Sequence, residues 1–138
     1  MIHRTIEEKI IDISKKMPVI TITGPRQSGK TTLARSIFPN HTYINLEHPD
    51  NFQFATDNPT GFFAIYPSNL ILDKVQRVPK LLSYIQVIVD KKKQPGQFIL
   101  TGSENLVLSE KVTQSLAGRT YIITLLPLSV EELRKGYC

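Results

Sequence analysis

The chain has 138 residues, of which 41% are hydrophobic and 21% charged, as is usual for one folded domain with a buried core. Its single cysteine, Cys138, excludes an internal disulfide and fits a reducing compartment. The first residues include acids where a signal peptide needs an apolar run, and no apolar run approaches the roughly 20 residues that cross a membrane. We therefore expect one cytoplasmic domain over residues 1–138, with no membrane span.

The charge balance is basic, with a formal net charge of +5 and a pI of about 9.4. A nucleic-acid partner is considered for chains in this range. The densest basic run, at residues 91–93, falls at the end of a predicted helix, where cations interact favourably with the helix dipole. A solvated helix end explains this run without a partner, so nucleic-acid binding is retained only as an alternative.

The first half of the chain alternates helices with short apolar strands. Residues 5–17 open with the Thr-x-x-Glu pattern of a capping box and carry apolar side chains at helical spacing. Residues 19–23 are all β-branched, as in a buried strand, and a glycine follows at once. We then predict a helix, a strand, a helix broken near Pro59 and Gly61, and a third strand, at 31–38, 42–46, 51–66 and 69–73.

The second half continues the same alternation. Residues 80–93 have apolar side chains on one helical face, and Pro95 and Gly96 end the pattern. A strand, a helix, a strand and a last helix are predicted at 97–103, 109–117, 120–126 and from 129. Strands that are almost continuously apolar and that alternate with helices indicate a parallel sheet covered on both faces.

Residues 24–31 match the pattern G-x-x-x-x-G-K-[ST] at every fixed position, and the predicted strand and helix on either side argue against a chance match. The backbone N–H groups of such a loop and the N-terminus of the next helix form a nest for phosphate oxygens. Lys30 would reach the β- and γ-phosphates, and the Thr31 hydroxyl would contact Mg²⁺. The predicted nucleotide-binding residues are Gly24, Pro25, Arg26, Gln27, Ser28, Gly29, Lys30, Thr31 and Thr32.

The predicted third strand ends in Asp73, which would hold Mg²⁺ together with Thr31 as the metal-side carboxylate that a P-loop site needs. An aspartate that begins a turn after the strand is the alternative. The sequence Leu-Thr-Gly-Ser ends the fourth strand, and its Thr101 and Ser103 are candidates to place a hydroxyl near the γ-phosphate. A simple turn is the alternative there.

Five segments, taken in order, resemble the AAA-type P-loop ATPase domain of prokaryotic proteins that continue into a C-terminal domain of unknown function. They are TGPRQSGKTTL, YINLEHPD, LILDKVQRVPKLL, FILTGSENLVL and SLAGRTYIITLLPLSVEEL. The resemblance covers about residues 17–133. It implies a three-layer α/β fold with a parallel five-stranded sheet in the order 5-1-4-3-2, and it implies ATP, Mg²⁺ and a homo-oligomer or partner domain. It also implies that Arg119 senses phosphate or acts across a subunit interface, for which a surface arginine is the alternative.

The chain departs from the family pattern at two points. Members read Asp-Glu at the positions of Asp73 and Lys74, and a charged lysine cannot replace the glutamate as base or water-orienting group. Because the loss of a positioned base removes ~10²–10⁴-fold in rate, weak hydrolysis is expected. Glu47, which follows the second strand, and Glu104 are candidate substitutes, with exposed loop acids as the alternative. The chain also ends at Cys138, without the usual C-terminal domain.

The predicted function is therefore an ATP-binding AAA-type domain, dependent on Mg²⁺, whose status as an enzyme the sequence leaves open. A small-molecule kinase built on the same P-loop is one alternative. The sequence argues against it, because no arginine-rich lid segment follows the fourth strand. The other alternative is a non-catalytic remnant that serves as a binding module or scaffold.

Overall fold

Five strands form one sheet in the computed structural model, which describes residues 2–24, 29–92, 94–102 and 118–124, with side chains from residue 7 onward. All the pairs within the sheet are parallel, and the order is β2-β3-β4-β1-β5. This is the predicted order 5-1-4-3-2 counted from the other edge, so the prediction is confirmed. The strands β1 to β5 are Val19–Thr23, Thr42–Asn45, Leu70–Asp73, Phe98–Gly102 and Thr120–Thr124.

The helices follow the predicted order with small shifts of their ends. The helix expected at 51–66 is two helices, and Asn58 between them caps the second by accepting a hydrogen bond of 3.0 Å from the Gly61 N–H. The first helix begins three residues before the predicted capping box, so Thr5 lies inside it. The predicted helices at 109–117 and from 129 lie outside the described residues. The helices α1 to α5 are Ile2–Ser14, Lys30–Ile37, Pro49–Asp57, Pro59–Ile65 and Leu81–Lys91.

Both faces of the sheet are covered, which makes three layers. Helices α1 and α2 pack on one face, and α3, α4 and α5 pack on the other. Strands β1, β3 and β4 are buried along their whole length, whereas the edge strand β2 is only partly buried. This burial explains the continuous apolar runs of the central strands, because a helix layer removes each face from water. No helix among the described residues has the length and apolar character to span a membrane.

The register of the strands brings several polar side chains to one end of the sheet. Asp73 pairs with Asn45 on one side and with Thr101 on the other. Paired residues of parallel strands share a face, and Ile71, two residues before Asp73, packs in the cluster beneath α2. The Asp73 side chain therefore lies on the face that α2 covers, at the carboxyl end of the strands.

Candidate functional site

Gly29, the residue directly before α2, has a backbone conformation that glycine adopts readily. Gly29 has φ 80° and ψ 14°, which is the left-handed region, and α2 begins at the next residue. The Lys30 side chain is only 5% exposed, so its stem is packed against the protein instead of extending into solvent. Residues 25–28, four of the predicted nucleotide-binding residues, lie outside the described residues.

Three hydroxyl groups from three different elements donate hydrogen bonds to the buried carboxylate of Asp73. Thr31 of α2 and Thr101 of β4 both donate to Oδ1, at 3.2 Å and 2.8 Å. Tyr43 of β2 donates to Oδ2, at 2.6 Å. The carboxylate at the end of β3 is thus held from the helix and from both neighbouring strands.

The donor set fits a magnesium ion by its chemistry. Mg²⁺ is a hard cation that takes oxygen ligands and retains several waters. Thr31 and Asp73 supply a hydroxyl and a carboxylate that already lie 3.2 Å apart. Since the Thr31 hydroxyl donates its only hydrogen to Asp73, its lone pairs remain available to a cation. The structure therefore brings together the two residues predicted to hold the metal.

Tyr43 is the site residue that sequence reasoning missed, because its position in a short edge strand fits a packing aromatic equally well. Burial raises the pKa of the Tyr43 phenol above its usual range, and the hydrogen bond to Asp73 and the charge of Asp73 raise it further. The phenol is therefore held as a neutral donor. The guanidinium carbon of Arg35 lies 4.5 Å from the centre of the Tyr43 ring. The signal in the sequence is the spacing, since Tyr43 lies on the same face as Asn45, the strand partner of Asp73.

Thr101 was a candidate for a hydroxyl near the γ-phosphate, and the structure gives it a different contact. Its side chain is fully buried and donates to Asp73. It thus supports the carboxylate, and a role near a bound γ-phosphate stays a prediction. The other candidates after β4, Ser103 and Glu104, lie outside the described residues.

Lys74 follows Asp73 in a conformation that is unusual for a residue with a side chain. Its φ of 63° and ψ of 40° lie in the left-handed region. The N–H of Arg77 then donates to the Lys74 carbonyl at 2.9 Å, closing a turn of 3₁₀ helix at Val75–Arg77. The backbone therefore bends away from the strand direction directly after the carboxylate.

Glu47 lies in the turn that follows β2, beside the end of β3. The N–H of Leu46 donates to the Asp73 carbonyl at 3.0 Å, and Glu47 comes next, with its side chain exposed. Its charge is among the causes that raise the pKa of Tyr43, so the carboxylate is within electrostatic range of the cluster. Glu47 thus lies at the sheet edge where it was predicted to lie, and its role stays a prediction.

Arg119 lies at the amino end of the strands, whereas Asp73 lies at their carboxyl end. Its carbonyl accepts from the N–H of Val19, the first residue of β1, whereas the P-loop follows the last. Four steps of ~3.3 Å along a strand separate the two ends by about 13 Å. Its guanidinium instead forms two hydrogen bonds with Asp90, at 2.6 Å and 3.0 Å. Within the described residues the side chain thus pairs with Asp90 at the amino end of the strands, and its role as a phosphate sensor or as a contact across a subunit interface stays a prediction.

The fold and the site together define a P-loop NTPase domain. In this class, a phosphate-binding turn joins a strand to a helix, and a carboxylate follows another strand of the same parallel sheet. Two solved structures share the fold. The P-loop NTPase domain of the Sigma-54 transport activator from E. coli has a TM-score of 0.60 and 17% identity, over 91% of this chain and 94% of that one. The Walker-type ATPase of Pyrococcus abyssi has a TM-score of 0.60 and 16% identity, over 95% and 56%.

The family is narrower than the fold. The family described as an AAA domain matches residues 16–134, and the chain belongs to that family. Uncharacterized proteins of Mycobacterium bovis and Mycobacterium tuberculosis are each 34% identical over 122 residues, which is 86% of this chain and 27% of theirs. An uncharacterized protein of Methanocaldococcus jannaschii is 30% identical over 145 residues, 98% of this chain and 31% of its own. The chain thus spans less than a third of the length of these relatives.

Proposed function

We propose that this AAA domain binds ATP together with Mg²⁺ and hydrolyses it slowly. The observation that carries the proposal is the hydrogen bond of 3.2 Å between the Thr31 hydroxyl and the Asp73 carboxylate. These are the two oxygen groups that a P-loop protein uses on the metal side of the nucleotide. The left-handed Gly29 and the N-terminus of α2 beside them support phosphate binding at the same place.

Different residues of the site bind different parts of the nucleotide and its metal. The backbone N–H groups of residues 24–29 and the first N–H groups of α2, including that of Thr32, bind the phosphate oxygens. Lys30 would add a positive charge near the β- and γ-phosphates, while Thr31 and Asp73 would hold the metal. Bound Mg²⁺ supplies charge that stabilises the phosphate oxygens during transfer. All these groups bind and orient, and none of them removes a proton from water.

Slow hydrolysis follows from Lys74, which stands directly after the metal-side carboxylate. At neutral pH a lysine ammonium has no free lone pair for a proton. Glu47 is the carboxylate that we propose as a partial substitute, since it is exposed beside the end of β3.

We further propose that residues 1–138 form one nucleotide-binding domain whose state is sensed by a second copy or by a partner domain. The greater length of the relatives supports a partner domain. Arg119 is the candidate contact to a neighbouring subunit, and it would have to share or leave its pair with Asp90.

Nucleotide binding is tested by thermal unfolding of the full chain with ATP and Mg²⁺. A ligand at 100 times its Kd stabilises the folded state by about 2.7 kcal/mol, and the Lys30→Ala variant should lose that gain. Absence of any ATP-dependent stabilisation of the wild type would contradict the proposal.

Hydrolysis is tested by phosphate release from the wild type and from Lys74→Glu. If the missing base is the deficit, the variant should be faster by about 10²-fold or more. Lys80→Glu is the matched control, because it makes the same charge change at an exposed position six residues further on. A Lys74→Glu variant that binds ATP and stays as slow as the control would refute the role given to Lys74. A fall in residual hydrolysis in Glu47→Ala would support the substitute.

A further inference from the structure

Tyr43 on β2 makes a diagonal contact with Asp73 on the neighbouring strand β3. Its direct strand partner is Ile71, and Asp73 lies two residues further along β3. The phenol therefore lies along the strand direction over ~6.6 Å, the length of two residues, and brings its hydroxyl to Oδ2 at 2.6 Å. A side chain at this position needs both length and a terminal donor to make the contact, so a simple packing aromatic would not supply it.

The hydrogen bonds leave little freedom at the carboxylate. An ionised carboxylate accepts about four hydrogen bonds, two at each oxygen. Among the described residues, Thr31 and Thr101 take both places at Oδ1, and Tyr43 takes one at Oδ2. Oδ2 is the oxygen that the Tyr43 hydroxyl holds. The direction in which Asp73 can bind a metal or its water is thus set by the Tyr43 hydroxyl.

Arg35 fixes the Tyr43 ring from the side of α2. Its guanidinium lies over the ring at 4.5 Å, and it follows Thr31 by one helical turn. The same helix therefore carries the metal-side hydroxyl and the group that covers the ring. Ring, helix and carboxylate form one unit beside a cavity of about 590 Å³, which Thr31, Arg35 and Tyr43 line.

We propose that Tyr43 is a positioning residue for the metal. By holding Oδ2 of Asp73, it increases the affinity of the nucleotide-bound domain for Mg²⁺. The inference rests on the proposed function, because it concerns the same site. It assigns the affinity for ATP and the gain in that affinity from Mg²⁺ to different residues. The P-loop determines the affinity for ATP without metal, and Tyr43 determines how much Mg²⁺ adds.

The test is the ratio of two dissociation constants of the full chain for a fluorescent ATP analogue, measured with EDTA and with saturating Mg²⁺. This ratio is the gain in affinity that the metal provides. Tyr43→Phe keeps the ring and removes the hydroxyl, and loss of a group that orients a metal ligand costs about 10–100-fold in metal affinity. We expect the ratio to fall about tenfold or more while the constant in EDTA stays within twofold. Tyr66→Phe, a half-buried tyrosine that packs on the opposite face of the sheet, is the matched control and should change neither constant.

The outcomes separate the inference from the function on which it rests. A wild type that fails to bind the analogue, or that binds it equally with and without Mg²⁺, overturns the proposed function and the inference together. A wild type with a clear gain from Mg²⁺ and a Tyr43→Phe variant with the same gain overturns the inference alone. Equal weakening of both constants in Tyr43→Phe also overturns it, because that result describes a general structural role.

Discussion

Replacing Lys74 by glycine tests whether the chain stores backbone strain beside its metal-side carboxylate. Lys74 has φ 63° and ψ 40°, a conformation in which a Cβ atom crowds the backbone at a cost of about 1–2 kcal/mol. Glycine removes that cost. It also gives the unfolded chain more freedom, which offsets about 0.4–1 kcal/mol of the gain. We expect Lys74→Gly to raise the free energy of unfolding by about 0.5–1 kcal/mol.

Urea unfolding at fixed temperature is the appropriate assay, since a shift of the midpoint at constant slope reports stability alone. For a domain of this size the same change raises the melting temperature by roughly 2–4 °C. Lys9→Gly is the matched control, because Lys9 is exposed inside α1, where glycine costs about 1 kcal/mol. The two substitutions should therefore act in opposite directions. If both destabilise the protein to a similar degree, the backbone at Lys74 is unstrained and the reasoning is refuted.

Two further predictions concern the phenol of Tyr43 and the amide of Gln97. The raised pKa of Tyr43 in the folded state contributes stability that is fully present below the unfolded pKa near 10 and is lost as pH rises through the folded value. The stability difference between wild type and Tyr43→Phe should thus be constant from about pH 7 to 9 and narrow above pH 10, and a difference that stays constant at higher pH would contradict the shift. Gln97 is fully buried, and neither amide atom has a hydrogen-bond partner among the described residues. Gln97→Met should therefore raise the free energy of unfolding by about 1 kcal/mol in urea titrations, whereas a marked loss would mean that the amide is satisfied.

Local pattern was enough to predict most elements of this chain. The β-branched run 19–23 and the apolar face of residues 80–93 gave a strand and a helix within one or two residues of their observed ends. The break near Pro59 is observed at Asn58, because an asparagine followed by proline both ends one helix and caps the next. The strand order is a different matter. Spacing alone indicated a parallel sheet covered on both faces, and the strand order was implied by the family resemblance.

Contacts between side chains on elements that are distant in the sequence could not be predicted from it. Arg119 matches an arginine of the family pattern, and the strand pairing places it at the amino end of the strands, where its side chain pairs with Asp90. Thr101 was a candidate to place a hydroxyl near the γ-phosphate, and the register puts it directly beside Asp73. In both cases the residue type showed which groups could form a hydrogen bond, and the packing of neighbouring elements determined the partner.

The sequence by itself determined the P-loop, the carboxylate at Asp73 and the lysine in place of the usual acid, because these depend on residue type and short spacing. Only the tertiary structure decided what holds Asp73. Tyr43 and Thr101 lie 30 and 28 residues from it along the chain, and parallel pairing of β2, β3 and β4 brings all three together. The left-handed backbone of Lys74 was equally hidden, since a lysine carries no preference for that conformation and the turn between β3 and the following 3₁₀ helix imposes it.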